Sequence, residues 1–159
     1  MIKLDEYREK IINDSRNYYR EGLNCSECVF KSFLDLGISD FSPEVVALST
    51  GFGGGIGMTK NTCGAVSGAA LCVGAIKGRK DPLLKETAQE RIEELTDIYS
   101  TFNKLINEFT EIYGTILCKE LTENYSDWHS KERRKGCQDI IGYASTLAIK
   151  YAMNDDIKS

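Results

Sequence analysis

Asn61-Thr62-Cys63-Gly64-Ala65-Val66-Ser67-Gly68-Ala69-Ala70-Leu71-Cys72-Val73-Gly74-Ala75-Ile76-Lys77 decides the fold. Thr62 can cap a helix that starts at Cys63 and runs to about Lys77, and nearly every residue in it is small or aliphatic. Gly64 and Gly68, flanked by Ala65 and Ala69, let another backbone approach closely, so this helix is expected at the centre of a helical protein.

Working outward, Gly51, Gly53, Gly54, Gly55 and Gly57 interrupt the chain just before it. Ser42-Pro43 reads as an N-cap followed by a first-turn proline, opening a short helix through Leu48. Asn24 with Glu27 three residues later is a capping-box pattern that starts a helix at Cys25 and carries it to Gly37. A first helix near residues 3–20 places Leu4, Tyr7, Ile11, Ser15 and Tyr18 on one stripe and ends near Gly22. Downstream, Asp81-Pro82 reads as the start of the longest helix, which Gly114 stops after Tyr113. Its Ile92, Leu95, Tyr99, Phe102, Ile106, Phe109 and Tyr113 alternate spacings of three and four, a seam that either packs inside the domain or supplies half of a homodimer contact. Thr115 can cap a short helix holding Cys118. A last helix over roughly 130–153 puts Cys137, Ile140, Ile141, Ala144, Leu147, Ala148 and Tyr151 on one face. No segment alternates with period two. The expectation is an all-α protein, one domain over residues 1–159, built as a bundle of six or seven helices with a Gly-rich loop ahead of a small-residue central helix.

Composition narrows the function. The 159 residues carry 20 basic and 24 acidic side chains, a net charge of -4. That balance disfavours attraction to a phosphate backbone, so nucleic acid is excluded as a partner. The basic run Lys131-Glu132-Arg133-Arg134-Lys135 reads as a solvated helix start near Asp127. No stretch approaches the ~20 apolar residues of a membrane span, and the charged N-terminus lacks a secretory h-region. A reducing cytoplasm is expected, where cysteines stay thiols or bind metal. His129 is the one histidine, so metal or redox chemistry falls to sulfur. His129 and Trp128 read as surface or packing residues.

The six cysteines are Cys25, Cys28, Cys63, Cys72, Cys118 and Cys137. Cys25 and Cys63 fall at predicted helix starts and Cys118 in a first turn, where unpaired N–H groups favour thiolate and lower its pKa. Cys72 lies nine helical residues beyond Cys63, about 900° of rotation and roughly 13.5 Å of rise, and so cannot share its site. Cys25-Ser26-Glu27-Cys28 matches a redox C-x-x-C formally, without the βαβ context of a thioredoxin, and Val29 excludes haem attachment. Buried thiols also serve as small hydrophobes, and for Cys28 and Cys72 packing is the expected role. The same reading stays open for the other four, whose spacing alone does not bring them together.

The run Gly51-Phe52-Gly53-Gly54-Gly55-Ile56-Gly57 fits neither a phosphate loop nor G-x-G-x-x-G. The N–H groups of Gly53, Gly54, Gly55 and Gly57 could instead donate to an anionic sulfur centre, or the run could be plain turn geometry.

Taken in order, Gly22-Leu23-Asn24-Cys25-Ser26-Glu27, the glycine run 51–57, Thr62-Cys63-Gly64-Ala65-Val66-Ser67-Gly68-Ala69, Tyr113-Gly114-Thr115-Ile116-Leu117-Cys118-Lys119-Glu120-Leu121 and the late Cys137 resemble the redox-active C_GCAxxG_C_C proteins of bacteria and archaea. The family label has Gly before Cys, whereas this chain has Cys63-Gly64. The resemblance implies that the family's four cysteines fall on Cys25, Cys63, Cys118 and Cys137, with Cys28 and Cys72 as additions. A related domain occurs in split-Soret cytochromes, where iron–sulfur ligation has been proposed; their haem motif is missing here.

Three functions follow as expectations. In the first, the four thiolates ligate a metal centre, with a [2Fe–2S] cluster favoured over zinc because paired C-x-x-C knuckles are lacking, and the protein exchanges electrons with an unidentified donor or acceptor or senses redox state. In the second, a metal-free thiol–disulfide oxidoreductase uses Cys25 or Cys63 as the attacking thiol. The third is a helical interaction module with buried cysteines.

Overall fold

A computed structural model describes residues 2–154, Ile2 by its backbone alone. Its described elements are α1 (Ile2–Arg20), α2 (Cys25–Leu34), a 3-10 helix η1 (Pro43–Phe52), the single turn α3 (Gly53–Ile56), α4 (Gly64–Lys77), α5 (Ala88–Tyr113), the short α6 (Cys118–Leu121) and α7 (Lys131–Met153). The protein is all-α. The one β feature among the described residues is an isolated antiparallel bridge between Thr62 and Leu117.

Three helices, α2, α4 and α7, pack on one another; α1 lies against α7 and α2, and α5 against α7 and α4. The small-residue helix is central, as its glycines require. A Cβ on Gly68 would stand 2.9 Å from the Ser26 carbonyl oxygen and 3.0 Å from Val29 Cβ, so only glycine lets α2 come this close. Ile11, Val29, Phe33, Val66, Val73, Leu105, Phe109, Ile141 and Leu147 fill the space between the helices and are fully buried or nearly so. Each large aliphatic or aromatic side chain among them contributes about 1.5–3 kcal/mol by leaving water. On α1, Ile11 and Ser15 are buried and Leu4, Tyr7 and Tyr18 pack at the core margin. On α7, Ile140, Ile141, Ala144, Leu147, Ala148 and Tyr151 are all buried.

Several boundaries differ from the expected ones. The longest helix begins at Ala88, not at Pro82, because Thr87 and Glu90 form a reciprocal capping box. Its seam divides: Phe102, Ile106, Phe109 and Tyr113 pack on the core, whereas Ile92 and Tyr99 are exposed. The segment after Pro43 is a 3-10 helix reaching Phe52 rather than a short α-helix, and Ser42 makes no side-chain cap bond. α2 stops at Leu34, and Gly37 follows in a left-handed turn. Cys63 is itself the N-cap of α4 and Leu117 that of α6, so neither Thr62 nor Thr115 caps as expected. Thr62 is committed to the bridge with Leu117 instead.

Candidate functional site

Each of the four candidate cysteines is placed by a separate local device. Asn24 closes the capping box at the head of α2: its Oδ1 accepts from Glu27 N at 2.9 Å, and Glu27 Oε1 accepts from Asn24 N at 3.2 Å. Asn24 Nδ2 also donates to the Thr50 carbonyl at 3.0 Å, tying the Cys25 end of α2 to η1. Cys63 and Cys118 are fixed by a backbone clasp. Cys63 N donates to Ile116 O at 2.7 Å, Cys118 N to Asn61 O at 2.7 Å and Lys119 N to Lys60 O at 3.0 Å, around the Thr62–Leu117 bridge. Cys137 lies in the second turn of α7, which Ser130 Oγ caps by accepting from Arg133 N at 3.1 Å.

These devices converge. Cys25, Cys63, Cys118 and Cys137 line one cavity of about 170 Å³, together with Gly54, Met58, Tyr19, Trp128 and Arg133. Cys63 and Cys118 are buried, Cys25 and Cys137 partly so, and all are free thiols. Gly64 explains the order Cys-Gly: a Cβ there would fall 2.3 Å from Cys25 Sγ and 2.8 Å from the Phe52 carbonyl. The residue after Cys63 must therefore lack a side chain for the sulfur of Cys25 to enter. Cys28 and Cys72 do not line the cavity. They are fully buried, with their thiols directed at the carbonyls of Leu23 (3.6 Å) and Val29 (3.7 Å).

Of the four loop glycines, Gly54 lines the cavity, and its N–H works to lower the Cys25 pKa. Gly53 packs on the Asn24 side chain, and Gly55 on the backbone of Lys60 and Asn61. Gly57 has open space around its Cβ position and closes the turn with a left-handed φ of 59°. The left-handed conformation spreads to Ile56, Met58 and Lys60 (φ 72°, 65° and 60°), unusual for non-glycine residues and concentrated beside the sulfurs.

Burial outweighs the helix-start effect on the thiols. Desolvation raises the Cys25 thiol, opposed by the N–H groups of Gly54 and of the head of α2. It pushes Cys63 up to about 12, with Cys25 adding to the rise and the N–H groups of Ala65 and Val66 opposing it. Cys118 is pushed up to about 11 by burial first, then by Cys25 and Cys137, with Lys60 and Arg133 pulling it back. The expectation of lowered values at helix starts is therefore reversed: a few partial dipoles do not offset removal of a thiolate from water.

The cavity wall includes Arg133, expected in a solvated run, and Trp128, expected as a surface or packing residue, and Lys60 stands on the Trp128 ring. Arg133 Nη1 lies 3.7 Å from Cys137 Sγ and 3.2 Å from Tyr19 Oη, while its Nε donates to the Trp128 carbonyl at 2.6 Å. The Trp128 ring carries Arg133 Cζ at 4.3 Å and Lys60 Nζ at 4.8 Å from its centroid. The basic run is thus not wholly solvated, since Arg133 turns inward. Its i, i+4 spacing from Cys137 was the available signal. His129 is exposed, as expected.

Among the described residues, no three Cys, His, Asp or Glu side chains form a group ready to hold a single metal ion. Nor is any described helix long and apolar enough to cross a membrane.

The sequence from residue 23 to residue 151 matches the family described as "Putative redox-active protein (C_GCAxxG_C_C)". The chain belongs to this family. A protein from Archaeoglobus fulgidus, described as "Uncharacterized protein", is 25% identical over 145 residues, which cover 88% of this chain and 87% of the relative. No solved structure matches. In this member of the C_GCAxxG_C_C family, the ordered motifs occupy the cavity: the cysteines line it, and Gly64 makes room for one of them.

Proposed function

We propose that this protein is an electron-transfer or redox-sensing protein in which Cys25, Cys63, Cys118 and Cys137 together hold an iron–sulfur centre of the [2Fe–2S] type. The observation that carries the reading is the convergence on one cavity of sulfurs from four separate segments of the chain. A [2Fe–2S] centre divides four thiolates between two irons, two to each, so it does not need three sulfurs gathered on one ion. Zinc in a four-thiolate site needs all its ligands around a single ion. Structural zinc is usually held by paired C-x-x-C knuckles, and of the one such pair here, Cys25 and Cys28, only Cys25 borders the cavity.

The chain's own residues suit such a charge. Four thiolates, two sulfides and two ferric ions sum to about -2. Arg133, Lys60 and the Gly54 N–H all act to favour negative charge on the sulfurs. Tyr19 and Trp128 wall the cavity with rings and limit the access of water. When bound, the centre would supply reversible one-electron chemistry.

Disulfide exchange through Cys25 or Cys63 is the competing reading, supported by the place of both on one cavity, with Cys25 Sγ against Gly64, the residue after Cys63. Burial, which keeps both as neutral thiols, works against it. Protein purified without oxygen, or supplied with ferrous iron and sulfide, should be coloured and contain about two irons and two sulfides per chain. Colourless, metal-free protein whose free-thiol count drops reversibly with oxidant would overturn the cluster in favour of the disulfide.

A further inference from the structure

The outer side of the basic run has no role in the sulfur site. Lys131, Arg134 and Lys135 join Arg20, the last residue of α1, around an open cavity of about 450 Å³ completed by Tyr19 and Gln138. No carboxylate lines it among the described residues. All four cations are exposed. Arg20 donates to Asn17 Oδ1 at 2.7 Å, and none of the four forms an ion pair among the described residues. Glu21 and Glu132, their neighbours in sequence, are not among the described residues that line the cavity. On a chain of net charge -4, this gathers unpaired positive charge on one face.

That face adjoins the cysteines. Tyr19 is a wall of both cavities, and its hydroxyl accepts from Arg133, whose guanidinium also reaches Cys137. We infer that the Arg20–Lys131–Arg134–Lys135 face is the docking surface for an acidic protein partner that exchanges electrons with the sulfur site. The exchange rests on the proposed function; the docking does not. A protein face is favoured over a small anion because the cations stand on exposed, flexible stems and no buried polar side chain is aimed into the cavity. Unpaired charge of one sign beside a reactive centre speeds and orients encounter with an oppositely charged surface.

The test uses the full chain and three probes: fluorescently labelled poly-glutamate as an acidic polypeptide surface, inorganic pyrophosphate, and phosphatidylserine-containing vesicles. Poly-glutamate should bind at about 20 mM salt and weaken by about tenfold at about 150 mM. Arg134→Glu should weaken it by about tenfold. Lys80→Glu makes the same charge change on an exposed residue beyond the far end of α4 and should leave binding unchanged. Equal loss in both variants, tighter binding of pyrophosphate or vesicles than of poly-glutamate, or no binding would each overturn the inference. Iron and sulfide content measured on the same samples separates the two claims: a loaded protein that does not dock loses only this one, and a docking protein without metal loses only the redox reading.

Discussion

Cys25 and Cys28 stand three residues apart on α2, yet one borders a cavity with three other sulfurs and the other is sealed into the core with its thiol on a backbone carbonyl. Cys63 and Cys72 repeat the contrast on α4. In the core, space is filled and polar groups are satisfied locally, so a thiol behaves as a small hydrophobe. At the helix starts, glycines remove side chains, backbone N–H groups face the sulfurs and two cations flank them. The residue type is the same, and the surroundings divide the roles.

Glycine substitutions test this division most strongly. Gly64→Ala places a methyl where Cys25 Sγ and the Phe52 carbonyl now lie, and should cost about 1–3 kcal/mol of stability along with most of the bound metal. Gly74→Ala, on the same helix with nothing within 4 Å of its Cβ position, should instead stabilise by about 0.5–1 kcal/mol with metal content unchanged. Thermal unfolding and iron assays of the two variants read both effects. Cys72→Ala leaves a small core void and should cost about 1–2 kcal/mol while preserving the visible spectrum. A bleached Cys72→Ala protein would show that the division between core and cavity is wrong.

The metal-free protein gives a pH test. Burial raises Cys63 to about 12 and Cys118 to about 11, against an ordinary thiol value of 9.0. The native state then holds protons that the unfolded chain releases, so stability is complete below about pH 9 and falls as pH rises towards those values. From about pH 9 to about pH 10, Cys63 alone should remove about 1 kcal/mol, a share of the slope that Cys63→Ser would take away. The smallest effect expected is at Arg133. Arg133→Gln should lower the reduction potential of the loaded centre by about 30 mV, with Arg133→Lys restoring part of it, as followed by redox titration.

Much of the fold was legible in local signals. The Asn24–Glu27 capping box, the stripe on α7 and the glycine spacing of α4 each state a short-range requirement that the structure meets. The start of α5 was misread because Pro82 is a helix-opening signal, whereas the reciprocal cap at Thr87 and Glu90 is stronger. The site was legible only in part. Cysteines at predicted helix ends could be named, but Trp128 and Lys60 enter through a cation–π contact between residues 68 positions apart, which no periodicity encodes. The thiol pKa values went the other way because sequence shows the helix start and not the depth of burial.

The central claim is that four sulfurs act on one centre and two do not. Single Cys→Ser variants at all six positions, prepared without oxygen and assayed for iron, sulfide and visible absorption, test it most directly. The account predicts loss of the centre at Cys25, Cys63, Cys118 and Cys137 and its retention at Cys28 and Cys72. Retention in any of the first four variants, or loss in either of the last two, would contradict it.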